Sequence, residues 1–368
     1  MVIKKNIEES ISFYTSDEVF YNPKMQFCRS MSSLAVGAIE QDLEVIDAFC
    51  ASGIRGIRYA KENPNVKKLT SIDIDKGAIS LVKKNSKLNK LKLKSVLGNI
   101  SKVAFDYVGD LVELDPFGTP SPYIFDAMRY FNPKKVAYIS ATATDVAVLC
   151  GGKVAPCMKN YHARPLNCSF THEIGLRILI KRIIEVASEF NFGSIPLVSF
   201  SDQHYLKTII KLVRSADLAD ESLNSLGYIS ICQKCGYRTS SKFPISKCEY
   251  CSDNALSYAG PLWLGQIHQK DFLSKMKSLN DNRNYLDKQK ISDFLSFFDN
   301  EVELPPFYYN IHELCKLHKI QRVPTMKALL EYFSKNNIIA RKCHYSPISI
   351  KSDAKYSDVV RLLKELNQ

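Results

Sequence analysis

The sequence lacks the features that mark membrane-spanning and secreted proteins. It contains no apolar run of about 18 residues or more, and its first ten residues are charged rather than signal-like. Tryptophan occurs once, and no internal repeat or low-complexity tract is present. We therefore expect a cytoplasmic globular protein without membrane contact, and the sequence predicts no obligate protein partner.

What is present is enough apolar material for two domains and an excess of positive charge. The chain has 368 residues, 45% of them hydrophobic, so each of two domains can bury a core. Fifty lysines and arginines against 38 acids give a formal charge of +12, which favours a polyanionic partner such as nucleic acid. Many basic proteins bind no polyanion, so charge alone does not identify the partner.

Four of the eleven cysteines are spaced as two Cys-x-x-Cys pairs, which are Cys232 with Cys235 and Cys248 with Cys251. Each pair forms a tight turn that directs two thiolates to one point, and two such pairs complete a tetrahedral sulfur site that suits zinc. The sequence thus predicts a structural zinc ribbon over residues 228–255. An iron–sulfur cluster or a redox pair is the alternative, and no disulfide is predicted.

Short apolar runs alternate with helical patterns up to about residue 215, which predicts a doubly wound α/β domain with a mostly parallel sheet. The predicted strands cover residues 43–49, 68–73, 95–98, 110–114, 136–141 and 195–200. A hydrophobic segment at 205–213 follows, and we place the domain boundary near 215, giving domains 1–215 and 216–368. The second domain is expected to be smaller, α+β in class, and to contain the zinc ribbon.

The C-terminal end predicts a winged-helix-like unit, in which a helix over 325–336 leads into a basic β-hairpin. We expect this hairpin to present Arg341, Lys342, His344 and Lys351 to an RNA backbone. The alternative is a solvated face without a partner.

Two loops after predicted strands suggest an adenosine-containing cofactor. The first strand ends at Asp47 and leads through a small-residue turn with Gly53 and Gly56, where the missing Cβ permits close approach. The second strand ends at Asp73, at an offset from the glycines that suits a carboxylate accepting both ribose hydroxyls. Asp75 is expected to cap the next helix. Because a phosphate-binding glycine cluster is missing, the pattern favours S-adenosylmethionine over a dinucleotide.

The loop after the fourth predicted strand reads Asp-Pro-Phe-Gly-Thr-Pro, from Asp115 to Pro120. A purine amine is a poor nucleophile because its lone pair is delocalised into the ring. Asp115 can accept a hydrogen bond from such an amine and offset the charge that develops on nitrogen, and the carbonyl of Pro116 offers a second acceptor. Phe117 provides a face on which an extruded base can stack. The alternative is a plain Asp-Pro-x-Gly turn.

This loop resembles the catalytic loop of the tRNA (guanine(26)-N2)-dimethyltransferase family of archaea and eukaryotes. Segments 19–25 with Arg29 downstream, 51–58 and 143–151 also resemble that family, and the match runs in order through about residues 15–260. The resemblance implies a Rossmann-like class I methyltransferase domain, a tRNA substrate and S-adenosylmethionine as methyl donor. Some members of the family lack the cysteine pairs.

The resemblance also implies roles for particular residues. Asp115 would orient the guanine N2 amine, and Phe20 and Phe117 would sandwich the flipped base. The residues expected at S-adenosylmethionine are Arg29, Asp47, Gly53, Arg55, Arg58, Asp73, Asn99 and Ile100, with Asn99 standing where relatives commonly have Asp. Two alternatives remain at this point, namely a methyltransferase for another purine amine and a catalytically silent zinc-ribbon protein that binds RNA.

Overall fold

An α/β unit occupies the N-terminal part of the computed structural model, which describes residues 3–132 and 134–367. Its strands are β1 (Ile3–Glu8), β2 (Ile11–Ser16), β3 (Leu43–Asp47), β4 (Val66–Asp73), β5 (Lys94–Leu97), β6 (Leu111–Leu114), β7 (Val136–Ala143), β8 (Phe192–Asp202) and β9 (Tyr205–Arg214). Its helices are α1 (Gln26–Gly37), α2 (Ile54–Glu62), α3 (Lys76–Leu88), α4 (Ile100–Val103), α5 (Ser121–Arg129), α6 (Val146–Leu149), α7 (Val154–Tyr161), α8 (Thr171–Glu189) and α9 (Ala216–Asn224).

Seven of these strands form one mixed sheet in the order β5-β4-β3-β6-β7-β9-β8. The strands from β5 to β7 are parallel, whereas β9 and β8 add in antiparallel orientation. Ile46 and Val112 belong to one core cluster, and their chain neighbours Val45 and Leu111 belong to another. Because successive side chains of a strand point to opposite faces, both faces of the sheet are buried. The predicted doubly wound fold is confirmed.

All six predicted strands are present, and two further features were not predicted. The hydrophobic segment 205–213 is strand β9, which pairs with both β7 and β8 and is therefore buried along its length. A hairpin of β1 and β2 precedes the sheet, and Ile11 and Phe13 of β2 pack against Ile54 and Ile57 of α2. Its turn at Glu9 and Ser10 carries no glycine or asparagine, which explains why the sequence gives no hairpin signal.

The C-terminal part contains two small sheets and several helices. Its strands are β10 (Leu226–Cys232), β11 (Arg238–Ser241), β12 (Leu256–Trp263), β13 (Tyr309–Asn310), β14 (Ala340–Cys343) and β15 (Ser346–Ser352). Its helices are α10 (Lys270–Asp281), α11 (Lys288–Glu301), α12 (Ile311–Leu317), α13 (Met326–Lys335) and α14 (Tyr356–Glu365). The strand orders are β11-β10-β12 and β13-β15-β14. The predicted helix leading into a basic hairpin is confirmed, since α13 precedes β14 and β15, and Thr325 caps α13.

The junction between the two parts corrects the expectation for His344 and Lys351. Lys351 Nζ lies 2.8 Å from Glu173 Oε1 on α8 and 3.4 Å from Glu301 Oε2 on α11, and His344 Nδ1 lies 2.8 Å from Glu301 Oε1. These side chains are at most 2% exposed, so the prediction that His344 and Lys351 face RNA is wrong. Buried carboxylates require cationic partners, and the hairpin supplies them. Arg341 and Lys342 of the same hairpin are exposed, as predicted.

Helix α9 follows the predicted domain boundary directly and packs on the main sheet, where Leu218 lies against Gly193 of β8. Across residues 3–132 and 134–367, no helix has both the length and the apolar character that crossing a bilayer requires.

Candidate active site and cysteine cluster

The main cavity lies where the strand order reverses, at the carboxyl ends of β3, β4 and β6. Its volume is about 530 Å³, within the ~300–1,000 Å³ typical of small-ligand sites. Ligands of doubly wound sheets bind at this position because the loops that follow the strands diverge there. Eight of the predicted site residues line it, namely Phe20, Arg29, Asp47, Arg55, Asp73, Asp115, Pro116 and Phe117.

The Asp-Pro-Phe-Gly-Thr-Pro loop is fixed by the loop after β7 and by α7. Gly118 adopts a left-handed conformation with φ of 78°, and its N–H donates to Thr144 Oγ1 at 2.9 Å while its carbonyl accepts from the Thr144 N–H. Thr119 Oγ1 donates to the Tyr161 hydroxyl at 2.7 Å, and that hydroxyl donates to Asp145 at 2.8 Å. These bonds hold Gly118 and Thr119, and β6 ends directly before Asp115, so the loop is fixed on both sides of its turn.

Arg55 holds Asp115 in an ion pair at the cavity wall. Its Nη2 donates to Asp115 Oδ2, its Nη1 donates to Ser32 Oγ at 3.2 Å, and its Nε lies 3.7 Å from Glu113 Oε1. Burial raises the pKa of Asp115, but the Arg55 and Lys207 cations outweigh burial, and the net pKa lies below its usual value. A quarter of the Asp115 side chain is exposed, so the carboxylate is ionised and reachable from the cavity.

The two phenylalanines expected to sandwich a base touch each other. The ring centroids of Phe20 and Phe117 are 4.7 Å apart, the ring planes meet at 78°, and both side chains are more than half exposed. A sandwiched base needs parallel rings about 7 Å apart, twice a normal contact distance. A guanine can therefore stack between them only after the rings separate.

Glu8 of the N-terminal hairpin organises two of the predicted cofactor arginines. Its carboxylate accepts from Arg29 Nε at 2.7 Å and Nη2 at 2.5 Å, and from Arg58 Nη1 at 3.0 Å. Arg29 lines the cavity, whereas Arg58 is fully buried behind it and also pairs with Glu62 at 2.8 Å. Burial raises the pKa of Glu8, but the two arginines outweigh burial and the net pKa is lowered.

Asp73 and the glycines form the turn at the second strand end. Asp73 Oδ2 accepts from the Ala51 N–H at 2.9 Å, and Asp75 accepts from the first N–H groups of α3, which confirms its predicted capping role. Gly53 begins α2 in the left-handed region, with φ of 77°, where a side chain would be strained. A Cβ on Gly56 would lie 2.7 Å from Asp47 Oδ2, so this glycine allows α2 to approach the acid.

Asp47 is the carboxylate with the most perturbed acidity in the cavity wall. Burial and the neighbouring Glu113 and Asp115 carboxylates raise the pKa of Asp47 to about 7, although Arg55 opposes them. Its Oδ2 accepts a hydrogen bond from the Gly56 N–H at 3.2 Å. Arg55 therefore does not fully compensate the charge of Asp47, so a cationic ligand is favoured beside this carboxylate.

Four predicted cofactor residues do not line the cavity. Gly53 forms the turn beneath it, and Arg58 is buried behind Glu8. Asn99 caps α4 by accepting from the Ser101 N–H at 2.9 Å, and the Ile100 side chain is buried in the core. The Asn99 segment follows β5 and so lies at the same sheet edge.

Sequence reasoning did not single out other residues that line the cavity, including Tyr21, Lys24, Tyr123, Gln203 and His204. Gln203 and His204 form the tip of the β8–β9 hairpin, and Gln203 has a positive φ of 50°. The available signal was the polar Asp-Gln-His interruption between two apolar runs, which marks a hairpin turn.

The four paired cysteines converge in the β10–β12 sheet. Cys232 Sγ lies 3.6 Å from Cys251 Sγ, Cys235 Sγ lies 3.7 Å from Cys248 Sγ, and all four sulfur atoms lie within 4.8 Å of one another. Tetrahedral zinc with bonds of ~2.3 Å separates sulfurs by about 3.8 Å. Gly236 turns the first pair with φ of 78°. The geometry fits a tetrahedral metal ion with four thiolate ligands.

Comparison with known proteins agrees with this architecture. A family model for N2,N2-dimethylguanosine tRNA methyltransferases matches residues 2–364. The chain belongs to this family. It is 31% identical over 360 residues to the tRNA (guanine(26)-N(2))-dimethyltransferase of Methanobrevibacter smithii, covering 95% of this chain and 92% of the relative. It is 30% identical over 352 residues to the same enzyme of Saccharolobus solfataricus, covering 95% and 91%.

A solved structure extends the agreement to three dimensions. Trm1 from Pyrococcus horikoshii, in complex with S-adenosyl-L-methionine, is 27% identical and superimposes with a TM-score of 0.89, covering 98% of this chain and 99% of that chain. The family membership confirms the resemblance inferred from the Asp-Pro-Phe-Gly-Thr-Pro loop. It also assigns the chain its activity, the methylation of guanosine N2 in tRNA.

Proposed function

We propose that this enzyme transfers methyl groups from S-adenosylmethionine to the N2 amine of guanosine 26 in tRNA, giving N2-methylguanosine and then N2,N2-dimethylguanosine. The observation that carries the proposal is the coincidence of a full-length family match with a cavity in which Asp115 projects from the end of β6. The named relatives act on guanine 26, and the related solved structure holds S-adenosylmethionine.

The cofactor-binding part of the cavity is assigned to the ends of β3, β4 and β5. S-adenosylmethionine, when bound, supplies a methyl group on a positively charged sulfur. Asp73 is the acceptor for the ribose hydroxyls, and Arg29 is the cation for the cofactor carboxylate. Asp47 offers a negative charge to the cationic end of the cofactor. Asn99 and Ile100 are assigned to the adenine.

Two predicted cofactor arginines receive supporting roles. Arg58 keeps Glu8 in place, and Glu8 in turn orients Arg29 toward the cavity. Arg55 is already committed to Asp115, so we assign it to the acceptor side of the reaction. Gly53 sets the start of α2 so that the preceding residues, Ala51 and Ser52, form the cavity floor.

The guanine-binding part of the cavity is assigned to the Asp-Pro-Phe-Gly-Thr-Pro loop. Asp115 accepts a hydrogen bond from the N2 amine, and the Pro116 carbonyl accepts the second N–H where both are present. The flipped base stacks between Phe20 and Phe117 once these rings separate. By accepting the N–H groups, the two acceptors orient the lone pair of N2. Methyl transfer requires this lone pair to point at the methyl group, in line with the leaving sulfur.

The chemical step forms an N–C bond as the S–C bond breaks, and S-adenosylhomocysteine leaves with the electron pair on sulfur. Positive charge develops on N2, and the ionised Asp115 stabilises it. Because Arg55 and Lys207 lower the Asp115 pKa, this carboxylate is a weak base. We therefore assign it the role of orienting the amine, and the N2 proton passes to water. The second transfer repeats the step on the monomethylated amine.

We assign catalysis to residues 1–215 and tRNA binding to residues 216–368, with a zinc ion that stabilises the fold at Cys232, Cys235, Cys248 and Cys251. The four thiolates would fill all four coordination positions of the zinc ion, which leaves no open position for chemistry. Metal analysis tests the zinc, since the purified protein should contain about one zinc per chain. Loss of that zinc in Cys248→Ser, with a lower melting temperature, is the expected result, whereas a full metal content would contradict it.

Incubation with an unmodified tRNA transcript and cofactor tests the function, with nucleosides identified by mass spectrometry. We expect N2-methylguanosine followed by N2,N2-dimethylguanosine, located at position 26 by fragment mapping. A transcript with adenosine at position 26 is the matched control and should remain unmodified. Methylation of adenine, or of guanosines elsewhere with position 26 untouched, would contradict the proposal.

A further inference from the structure

Residues 146–172 form a stretch of 27 residues without a single Asp or Glu, although the whole chain has 38 acids in 368 residues. The stretch contains Lys153, Lys159 and Arg164 and lies between Asp145 and Glu173. In the sequence, residues 146–151 belong to a segment that resembles the family, and the helix that follows them was not predicted. Its net charge is therefore positive without local compensation, which favours contact with an anionic surface.

The structure fixes this stretch beside the Asp-Pro-Phe-Gly-Thr-Pro loop. Tyr161, the last residue of α7, bonds to Thr119 of that loop at 2.7 Å, and Ser121 Oγ donates to the Asn160 carbonyl. Lys181 is fully buried, and its Nζ donates to the carbonyls of Tyr161 and His162 at 3.1 Å and 2.9 Å. These bonds cap the end of α7, so its position follows that of the catalytic loop.

The remainder of the stretch continues toward the cysteine-bearing sheet. The Arg164 N–H donates to the Gly260 carbonyl at 2.8 Å, and the Gly260 N–H donates to the Arg164 carbonyl at 2.9 Å. Gly260 lies in β12, the strand that pairs with the Cys232 strand. The Arg164 guanidinium lies 5.4 Å from the centre of the exposed Tyr258 ring. The stretch therefore connects the catalytic loop to the β11-β10-β12 sheet.

The outward face of α7 combines cations with exposed apolar side chains. Cys157 and Tyr161, one turn apart, are buried. Lys159 is exposed on the opposite side of α7, and Lys153, which directly precedes the helix, is also exposed. Val154 is 38% and Met158 is 48% exposed, again one turn apart. Within residues 3–132 and 134–367, no carboxylate pairs with Lys153, Lys159 or Arg164. Cations interleaved with apolar side chains suit a nucleic acid strand whose bases are partly unstacked, because the cations can contact phosphates and the apolar side chains can contact riboses or bases.

We propose that Lys153, Lys159 and Arg164, with Val154 and Met158, form the surface that binds the tRNA backbone next to the flipped guanosine. We call it the α7 surface. The proposal rests on the proposed function, and it assigns part of tRNA binding to the N-terminal part of the chain in addition to the C-terminal part. The phosphates beside the target hold the strand while Phe20 and Phe117 take up the base.

A triple variant, Lys153→Ala with Lys159→Ala and Arg164→Ala, tests the α7 surface in the full-length enzyme. We expect KM for tRNA to rise at least tenfold and kcat at saturating tRNA to stay within about twofold, because phosphate contacts contribute binding rather than chemistry. The slope of log Kd against log salt should fall by about two to three, close to one for each lost contact. Affinity for S-adenosylmethionine should not change.

The matched control removes the same charge elsewhere, through Lys83→Ala with Lys84→Ala and Lys87→Ala on the exposed face of α3. The control should leave KM for tRNA within about threefold of the original, since α3 lies on the β4–β5 side of the sheet, away from α7. Equal weakening by both triples would mean that only total charge matters and would overturn the proposal. An unchanged KM in the α7 triple would also overturn it, while wild-type formation of N2,N2-dimethylguanosine would leave the proposed function standing.

Discussion

Two buried charge clusters of this molecule differ in whether they face open space. The cavity cluster consists of Glu8, Arg29, Asp47, Arg55 and Asp115, and the junction cluster consists of Glu173, Arg177, Glu301, His344 and Lys351. At the junction every carboxylate has protein cations or His344 around it, and its charged side chains are at most 3% exposed. In the cavity cluster, Arg29, Asp47, Arg55 and Asp115 line about 530 Å³ of open space, and Glu8 lies behind them.

The acidity of the carboxylates follows this difference. Burial raises the pKa of Glu301, but His344 and Lys351 outweigh burial and bring the pKa down to about 2. Burial and neighbouring carboxylates leave the pKa of Asp47 at about 7. Glu301 therefore contributes stability above its ordinary pKa of 4.5, and that stability is lost as the pH falls toward 2. Asp47 acts oppositely, since ionising it costs stability as the pH rises from 3.8 to about 7.

In this molecule, a buried ion pair marks a binding site only where one side of the pair opens to a cavity. Each cluster contains a direct arginine–glutamate ion pair, Arg29 with Glu8 in the cavity cluster and Arg177 with Glu173 at the junction. Only the cavity cluster leaves an uncompensated carboxylate and a partly exposed one, Asp47 and Asp115. Such groups gain a partner when a cationic ligand arrives.

The largest expected effect is on stability at the junction. Lys351→Met should lower the free energy of unfolding by about 3–5 kcal/mol, because it leaves Glu173 and Glu301 buried with too few cations. Chemical denaturation of the full-length protein measures this change. Lys342→Met in the same hairpin is exposed and should change stability by no more than about 0.5 kcal/mol. Equal stability of the two variants would show that the junction ion pairs contribute nothing.

The next effect concerns base stacking. Phe117→Ala should raise KM for tRNA by about 5- to 150-fold, which corresponds to the ~1–3 kcal/mol that one stacked base contributes. The ring is 77% exposed, so its removal should leave the melting temperature nearly unchanged. Phe117→Tyr keeps the ring face and should retain most of the affinity. If Phe117→Ala destabilised the fold instead, the ring would be structural and the assignment would fail.

The smallest expected effect is on the number of protons released when the cofactor binds. Asp47 has a pKa of about 7, so roughly half of it is protonated at pH 7. A cofactor cation nearby lowers that pKa, so binding should release up to about half a proton, and calorimetry in buffers of different ionisation enthalpy measures it. Asp47→Asn should abolish the release. Proton uptake on binding, or release unchanged in the variant, would contradict the cation-binding role of Asp47.

The sequence was sufficient for features that depend on residues close in the chain. The strand ends with Asp47, Asp73 and Asp115, and the two cysteine pairs, follow from local pattern, because parallel strands bring their carboxyl ends to one edge. Contacts between distant segments were not predictable. Nothing local shows that Glu8 reaches Arg29 and Arg58, or that Lys351 is buried against Glu173.

Arg55 illustrates the same limit inside the site. The family resemblance suggested a cofactor contact, and only the folded chain brings its guanidinium to Asp115, sixty positions away. In the same way, β9 looked like an unassigned apolar segment because a strand buried on both faces carries no alternating pattern. Tertiary packing decides which distant residues these side chains and strands contact, and a single sequence does not show that packing.

Single-turnover methyl transfer by the Asp115→Asn variant tests whether the Asp115 charge promotes catalysis, with cofactor and tRNA affinities measured on the same preparation. The amide keeps the size of the side chain and removes its charge, so we expect the rate of N2 methylation to fall by about 10²–10³-fold while both affinities stay within about threefold. An undiminished rate would contradict the claim that an ionised Asp115, held by Arg55, orients and stabilises the guanine amine.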